Sequence, residues 1–144
     1  MKRPQGVLVN SIAFSPRGDM IATAIDFDIV LWDVEMGTSR LHLTGHSHRV
    51  ESIAYSPRGD LIASASVDRT IRVWDIEARV CCHIIAGHSG IVTGVAFSPD
   101  ANQLVSSSTD KTTRLWDARA VASHHNSASP RDKILDIKFS PHGG

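Results

Sequence analysis

The apolar positions of this chain fall into short stretches of about five or six residues, each closed by a cluster of turn-forming residues. The pattern is cleanest between residues 45 and 86. Residues 50–55 (Val-Glu-Ser-Ile-Ala-Tyr) predict a strand, and Ser56-Pro57-Arg58-Gly59 predicts a tight turn, with proline presetting φ and glycine accepting a conformation that a side chain resists. Residues 61–66, small and continuously apolar, predict a second strand buried on both faces. After a turn holding Asp68 and Arg69, the positions Ile71, Val73 and Trp74 mark a third strand, and residues 80–85 a fourth. No helical period separates them. Four strands of this length describe one small antiparallel sheet.

The same unit recurs. Trp32-Asp33, Trp74-Asp75 and Trp116-Asp117 are evenly spaced, 42 residues apart, and residues 110–117 closely copy residues 68–75. Self-similarity at a fixed period of roughly 20 to 50 residues marks a repeat architecture. The third copy places Gly87-His88, Val92, Val95, Phe97-Ser98-Pro99 and residues 104–108 at the same spacing as the second. The first is one residue shorter, which we assign to its second strand, since Phe14 to Tyr55 spans 41 residues and Tyr55 to Phe97 spans 42. It has Gln5 where the others have His46 and His88. A fourth copy is expected to open with Ile134, Ile137 and Phe139-Ser140-Pro141, its histidine position taken by Pro130. Residues 121–131 lack the alternation of residues 80–85, so the outer strand of the third unit is expected to be frayed or partly loop.

Composition narrows the function classes. At 144 residues, 42% hydrophobic and 21% charged, the chain has a globular composition rather than a disordered or membrane-spanning one. Its 15 basic and 15 acidic residues balance, which gives nucleic acid or an anionic membrane no general attraction. The apolar run after the N-terminus is too short for a signal sequence or a span, so an intracellular protein, cytoplasmic or nuclear, is expected. Cys81 and Cys82 are sequence neighbours that point to opposite faces of a strand and cannot form an ordinary structural disulfide. They read as small strand hydrophobes.

The serines, histidines and aspartates of the repeats invite comparison with a hydrolase triad. The cluster occurs twice in register, each copy adds a tryptophan that nucleophilic catalysis does not need, and no Gly-x-Ser-x-Gly elbow surrounds either serine. We therefore expect no catalytic residues. Eight histidines are present, but without HExxH or Cys-x-x-Cys spacing, and His124-His125 point apart on a strand; no metal site and no cofactor are expected. Arg17-Gly18-Asp19 and Arg58-Gly59-Asp60 spell an adhesion tripeptide, but both fall in first hairpin turns and read as plain turns.

With Gly-His, then Ser-Pro-Asp or Ser-Pro-Arg-Gly-Asp, then Asp-x-Thr and Trp-Asp in register over residues 5–141, the chain resembles the WD-repeat (WD40) β-propeller family. The resemblance implies an all-β partial propeller: three four-stranded antiparallel blades plus the first strand of a fourth, innermost strand first in each. The segment 5–144 divides at about 5–44, 45–86, 87–128 and 129–144. The family pattern also implies hydrogen-bonded tetrads, His46-Ser64-Asp68-Trp74 and His88-Ser106-Asp110-Trp116, with only Thr23, Asp26 and Trp32 available in the first repeat.

By the same resemblance the protein is a non-enzymatic scaffold for other proteins or peptides. Its commonest docking face maps to His48, Arg49, Val67, Arg69, Ser89, Thr109 and Lys111, whose basic residues suit an acidic or phosphorylated partner. Trp116-Asp117-Ala118-Arg119 resembles a box with which propeller substrate receptors dock on a cullin-type ubiquitin ligase adaptor, which makes Arg119 a docking candidate. A sensor or regulatory segment of a larger NTPase or kinase is the other alternative. Three blades and a strand do not close a ring of about four to eight blades. Two expectations stand: the chain is part of a longer propeller protein, because it stops inside a hairpin turn, or a second copy completes the ring.

Overall fold

The computed structural model describes residues 7–118 and 135–137. Its regular elements are twelve strands: β1 (Val9–Phe14), β2 (Met20–Ile25), β3 (Asp28–Asp33), β4 (Ser39–Leu43), β5 (Val50–Tyr55), β6 (Leu61–Ser66), β7 (Thr70–Asp75), β8 (Val80–Ala86), β9 (Val92–Phe97), β10 (Gln103–Ser108), β11 (Thr113–Asp117) and β12 (Leu135–Ile137). They form three antiparallel sheets in the order β1-β2-β3-β4, β5-β6-β7-β8 and β9-β10-β11-β12. Sheets one and two are meanders, as short strands joined by tight turns dictate, and β9-β10-β11 of sheet three follows the same path.

Turn chemistry sets the hairpins. In the first hairpin of sheets one and two, Gly18 and Gly59 adopt φ of 78° and 79°, the left-handed region closed to most side chains. Ser15 Oγ and Ser56 Oγ donate to the carboxylates of Asp19 and Asp60, both at 2.8 Å, which closes each Arg-Gly-Asp stretch as a turn. In sheet three Ala101 takes the same conformation at φ 64°.

The core lies between sheets rather than within one. Ala22, Ala24, Ile29, Leu31 and Leu43 of sheet one pack on Val50, Ile53, Ile62 and Trp74 of sheet two. Ala63, Ala65, Ile71, Val73 and Ile85, from the other face of sheet two, pack with Val92, Leu104 and Trp116 of sheet three. Strand alternation explains the division, because odd and even positions of β6 and β7 face opposite neighbours. It also explains why β6 is buried from Ile62 to Ser66. The inner strands β1, β5 and β9 are adjacent. Asn10 Nδ2 donates to the Val50 carbonyl at 3.2 Å and the Ile53 amide donates to Ser11 Oγ at 3.1 Å, tying the first two sheets near the axis.

Two expectations are corrected. The residue missing from the first repeat is lost from a turn, not from the second strand: β2, β6 and β10 each have six residues, while Asp26 and Phe27 alone join β2 to β3. A strand whose faces pack on defined neighbours cannot drop a residue without turning its side chains over, whereas a turn can. Leu135–Ile137, expected to open a fourth blade, instead pairs with β11 (Thr113↔Ile137, Leu115↔Leu135) as the outer strand of sheet three. An open strand edge is satisfied by whichever extended segment reaches it. The fraying expected at 121–131 and the fourth-unit markers Ile134 and Phe139-Ser140-Pro141 lie outside the described residues.

Candidate functional site

In sheets two and three a polar chain crosses from the loop before the inner strand to the third strand. His46 follows Gly45, whose α-carbon faces Arg72 and Trp74 so closely that an added Cβ would sit 2.7 Å from the Arg72 guanidinium. The imidazole reaches inward. His46 Nδ1 lies 2.8 Å from Asp68 Oδ2, His46 Nε2 lies 2.7 Å from Ser64 Oγ, and Trp74 Nε1 donates to Ser64 Oγ at 2.9 Å. The second set repeats these separations: 2.9 Å for His88–Asp110, 2.8 Å for His88–Ser106 and 2.9 Å for Trp116–Ser106.

Proton direction follows from the ends of the chain. Trp Nε1 can only donate and an ionised carboxylate can only accept. The histidine Nδ1 proton therefore goes to the aspartate, the serine proton to the histidine Nε2, and the serine oxygen accepts from the indole. Every polar atom in the path is paired. Asp68 Oδ2 and Asp110 Oδ2 also accept the Ser47 and Ser89 amides, at 3.1 and 3.0 Å, so each aspartate holds the Gly-His-Ser loop to the turn.

The electrostatics agree. Burial lowers the His46 pKa, an effect that its hydrogen bond to Asp68 only partly offsets, so the imidazole is neutral near pH 7. Burial would raise the Asp68 carboxyl, but hydrogen bonds from Thr70 and His46 outweigh it and bring the pKa to about 2. Asp110, with the same opposing causes, is also held low.

These parts include the three members of a hydrolase relay, and the geometry shows what they do instead. Ser64 and Ser106 are 0% and 2% exposed, beneath the tryptophans that donate to them. A buried serine with its oxygen occupied by an indole presents no nucleophile to a substrate. In sheet one the chain is shorter: Trp32 Nε1 donates to Thr23 Oγ1 at 2.9 Å, and Asp26 contributes only its carbonyl, which accepts the Val50 amide at 2.8 Å.

The rim residues flank these chains. His48, Arg49, Arg69, Ser89, Thr109 and Lys111 are exposed and Val67 is half-buried. Arg69 and Lys111 occupy the same turn position in sheets two and three, both in left-handed backbone at φ 74° and 72°. Arg49 is engaged by Glu51, its Nε 2.8 Å from the carboxylate. Sequence reasoning missed Phe27, half-exposed, whose ring lies 5.8 Å from that of His48; an aromatic at a shortened turn was its only signal. It also missed a cleft of about 340 Å³ between the first hairpins of sheets one and two, into which Tyr55 faces among Arg17, Arg58, Asp19 and Asp60. The Tyr55 hydroxyl has no protein partner there, and burial together with Asp19 pushes its pKa to about 12. Arg119 lies outside the described residues.

Cys81 is half-buried and Cys82 exposed, both as free thiols. Burial raises both, Cys82 to about 11, which keeps them protonated and weakly reactive at neutral pH. Among the described residues no group of three or more potential ligands is placed to hold a metal, and no helix is long and apolar enough to cross a membrane.

Meanders of four strands, apolar cores between successive sheets and a repeated Trp-Ser-His-Asp chain define a propeller-type repeat. A family model described as "WD domain, G-beta repeat" matches residues 3–33, 37–75 and 79–117. The chain belongs to the WD40 repeat family. Two similar solved structures are "Structure of U3-55K" and "Crystal structure of RRP9 WD40 repeats", each 27% identical with a TM-score of 0.77. The alignments cover 81% of this chain but only 38% and 37% of those chains, so it spans a little over a third of their length. Among curated proteins none matches. Members of this family generally act as scaffolds that bind other proteins.

Proposed function

We propose that the chain is a non-enzymatic interaction scaffold that receives an acidic or phosphorylated peptide on the rim made by the Gly-His loops and the β6–β7 and β10–β11 turns. The observation that carries this reading is the pair Arg69 and Lys111. Left-handed backbone costs a non-glycine residue roughly 1–2 kcal/mol, so glycine is the choice for stability alone. A cation stands there in both blades. The neighbouring carboxylates, Asp68 and Asp110, are spent on internal hydrogen bonds, and among the described residues no ion pair engages Arg69 or Lys111. Two cations on adjacent turns, outside any ion pair among the described residues, suit carboxylate or phosphate groups along one extended peptide. The exposed hydroxyl side chains of Ser89 and Thr109 add polar contacts, and His48 with Phe27 adds an aromatic one. Arg49, already paired with Glu51, contributes less. The buried serines support the non-enzymatic part.

The test is fluorescence anisotropy with a labelled peptide of alternating glutamate and phosphoserine, beside its uncharged counterpart. The acidic peptide is expected to bind more tightly and to weaken with added salt. Arg69→Glu with Lys111→Glu is expected to weaken binding at least about tenfold, near 1.4 kcal/mol. Arg69→Gly with Lys111→Gly should also weaken it while raising stability, which separates lost contact from lost fold. Equal binding of the uncharged peptide, or charge reversal without effect, overturns the reading.

A further inference from the structure

Every sheet of the array has two unlike faces. The leading face, turned towards the preceding sheet, carries a row in register across three strands: Tyr55, Ile62 and Trp74 in sheet two, and Phe97, Leu104 and Trp116 in sheet three. The trailing face carries small and branched residues, Ala63, Ala65, Ile71 and Val73 in sheet two. Both internal junctions set a trailing face against a leading one. Ala22, Ala24, Ile29 and Leu31 meet Ile62 and Trp74 at the first, and Ala63, Ala65, Ile71 and Val73 meet Leu104 and Trp116 at the second.

The two ends of the array hold one face of each kind. Strand register puts Phe14, Ile21 and Trp32 of sheet one where Tyr55, Ile62 and Trp74 stand in sheet two, and Ile12 where Ile53 stands. Nothing among the described residues covers this face: Ile12 and Phe14 are each 64% exposed, whereas Ile53 is 6% exposed. At the other end, Ala96, Val105 and Leu115 occupy the trailing positions of Ala54, Ala63 and Val73. Ala96, Val105 and Thr113 line an open depression there.

We propose that the chain associates head to tail with a second copy of itself, the Phe14-Ile21-Trp32 face of one chain packing on the Ala96-Val105-Leu115 face of the other. The occupant is argued from the junctions already made. The chain twice packs a trailing face on a leading face, and each of its ends has the half that the other lacks. Like-on-like packing would instead oppose two rows of bulky side chains and leave both small-residue faces bare. The association is therefore heterologous, and it closes if the rotation per sheet continues. Two copies of the three described sheets give six blades, within the range of about four to eight that propellers use. Buried aliphatic and aromatic area of this kind is what drives protein association. The interface involves none of the rim residues, so it stands or falls independently of peptide docking.

The test is sedimentation velocity on the 144-residue chain at roughly 50 μM, well above the dissociation constant of a stable dimer. The wild type is expected at twice the chain mass. Phe14→Glu, which blocks the leading face, and Val105→Glu, which blocks the trailing face, are each expected at the chain mass with unchanged circular dichroism. Mixed one to one, they should form a heterodimer, because each supplies the face the other has lost. If Val105→Glu fails to fold, Ala96→Arg replaces it, since Ala96 is exposed. A monomeric wild type, single variants that still pair, or a mixture that stays monomeric overturns the proposal.

Discussion

At the residue scale, the atom on which most depends is the serine oxygen at the centre of each polar chain. Ser64 Oγ receives the Trp74 indole and faces His46 Nε2, 2.9 and 2.7 Å away. Ser64→Ala leaves both groups buried without a partner, and each such loss costs about 1–3 kcal/mol. We expect a destabilisation of about 2–4 kcal/mol, read as a lower urea midpoint at unchanged slope. Thr23→Ala in sheet one strands only the Trp32 indole, on a face that no other described sheet covers, so its cost should be about 1 kcal/mol. Equal losses at the two positions would mean that the histidine arm contributes nothing to stability.

At the scale of elements, the loop before each inner strand is held by shape as much as by hydrogen bonds. Gly87 has no unusual φ, yet a Cβ added there would sit 2.8 Å from the Trp116 ring, which is buried between sheets two and three. Gly87→Ala must move either the loop or the ring, at an expected cost of about 1–3 kcal/mol. Gly37 is the contrast: its Cβ would meet nothing within 4 Å, and at φ 70° an alanine there bears only backbone strain, about 1 kcal/mol. Urea titration of the two variants should therefore rank Gly87→Ala as the more destabilised; the reverse order would remove the steric argument.

The same scale explains what the sequence made legible. Strands and turns could be read because fixed spacing places buried alternation in every copy, and the two four-membered chains because their residues match the pattern of the family that the chain resembles. Three things could not be read. Period alone does not say whether a missing residue leaves a strand or a turn, and only the packed face of β2, with Ala22 and Ala24 on sheet two, decides for the turn. An apolar stretch at 135–137 matches an inner or an outer strand equally well, and its partner β11 is a matter of which edge stands open. The contacts of Arg49 with Glu51 and of Phe27 with His48 depend on how two loops approach, which no local pattern encodes.

For the whole molecule, the decisive fact is that sheet two belongs to both cores. One of its faces packs on sheet one and the other on sheet three, so loosening it exposes apolar surface on both sides. A titration inside sheet two should then appear as a change in global stability rather than as local fraying. His46 and Asp68 are two groups that titrate there, and both have folded pKa values shifted below the ordinary ones. The folded pKa of His46 lies below its ordinary value of 6.5, so the unfolded chain binds the proton first as pH falls. Its contribution is fully present above pH 6.5 and is lost as pH drops through the folded value. Asp68, at about 2 in the fold against 3.8 unfolded, adds a second contribution, present above pH 3.8 and lost as pH falls through about 2. The two slopes have the same sign. Urea midpoints measured from pH 8 to pH 3 should be flat at first, bend downward near pH 6.5 and steepen below pH 4. His46→Gln should lower the plateau and remove the first bend while leaving the second. A midpoint that stays constant between pH 7 and pH 5 in the wild type would show that the imidazole is as readily protonated in the fold as outside it, and the neutral relay through Ser64 would have to be abandoned.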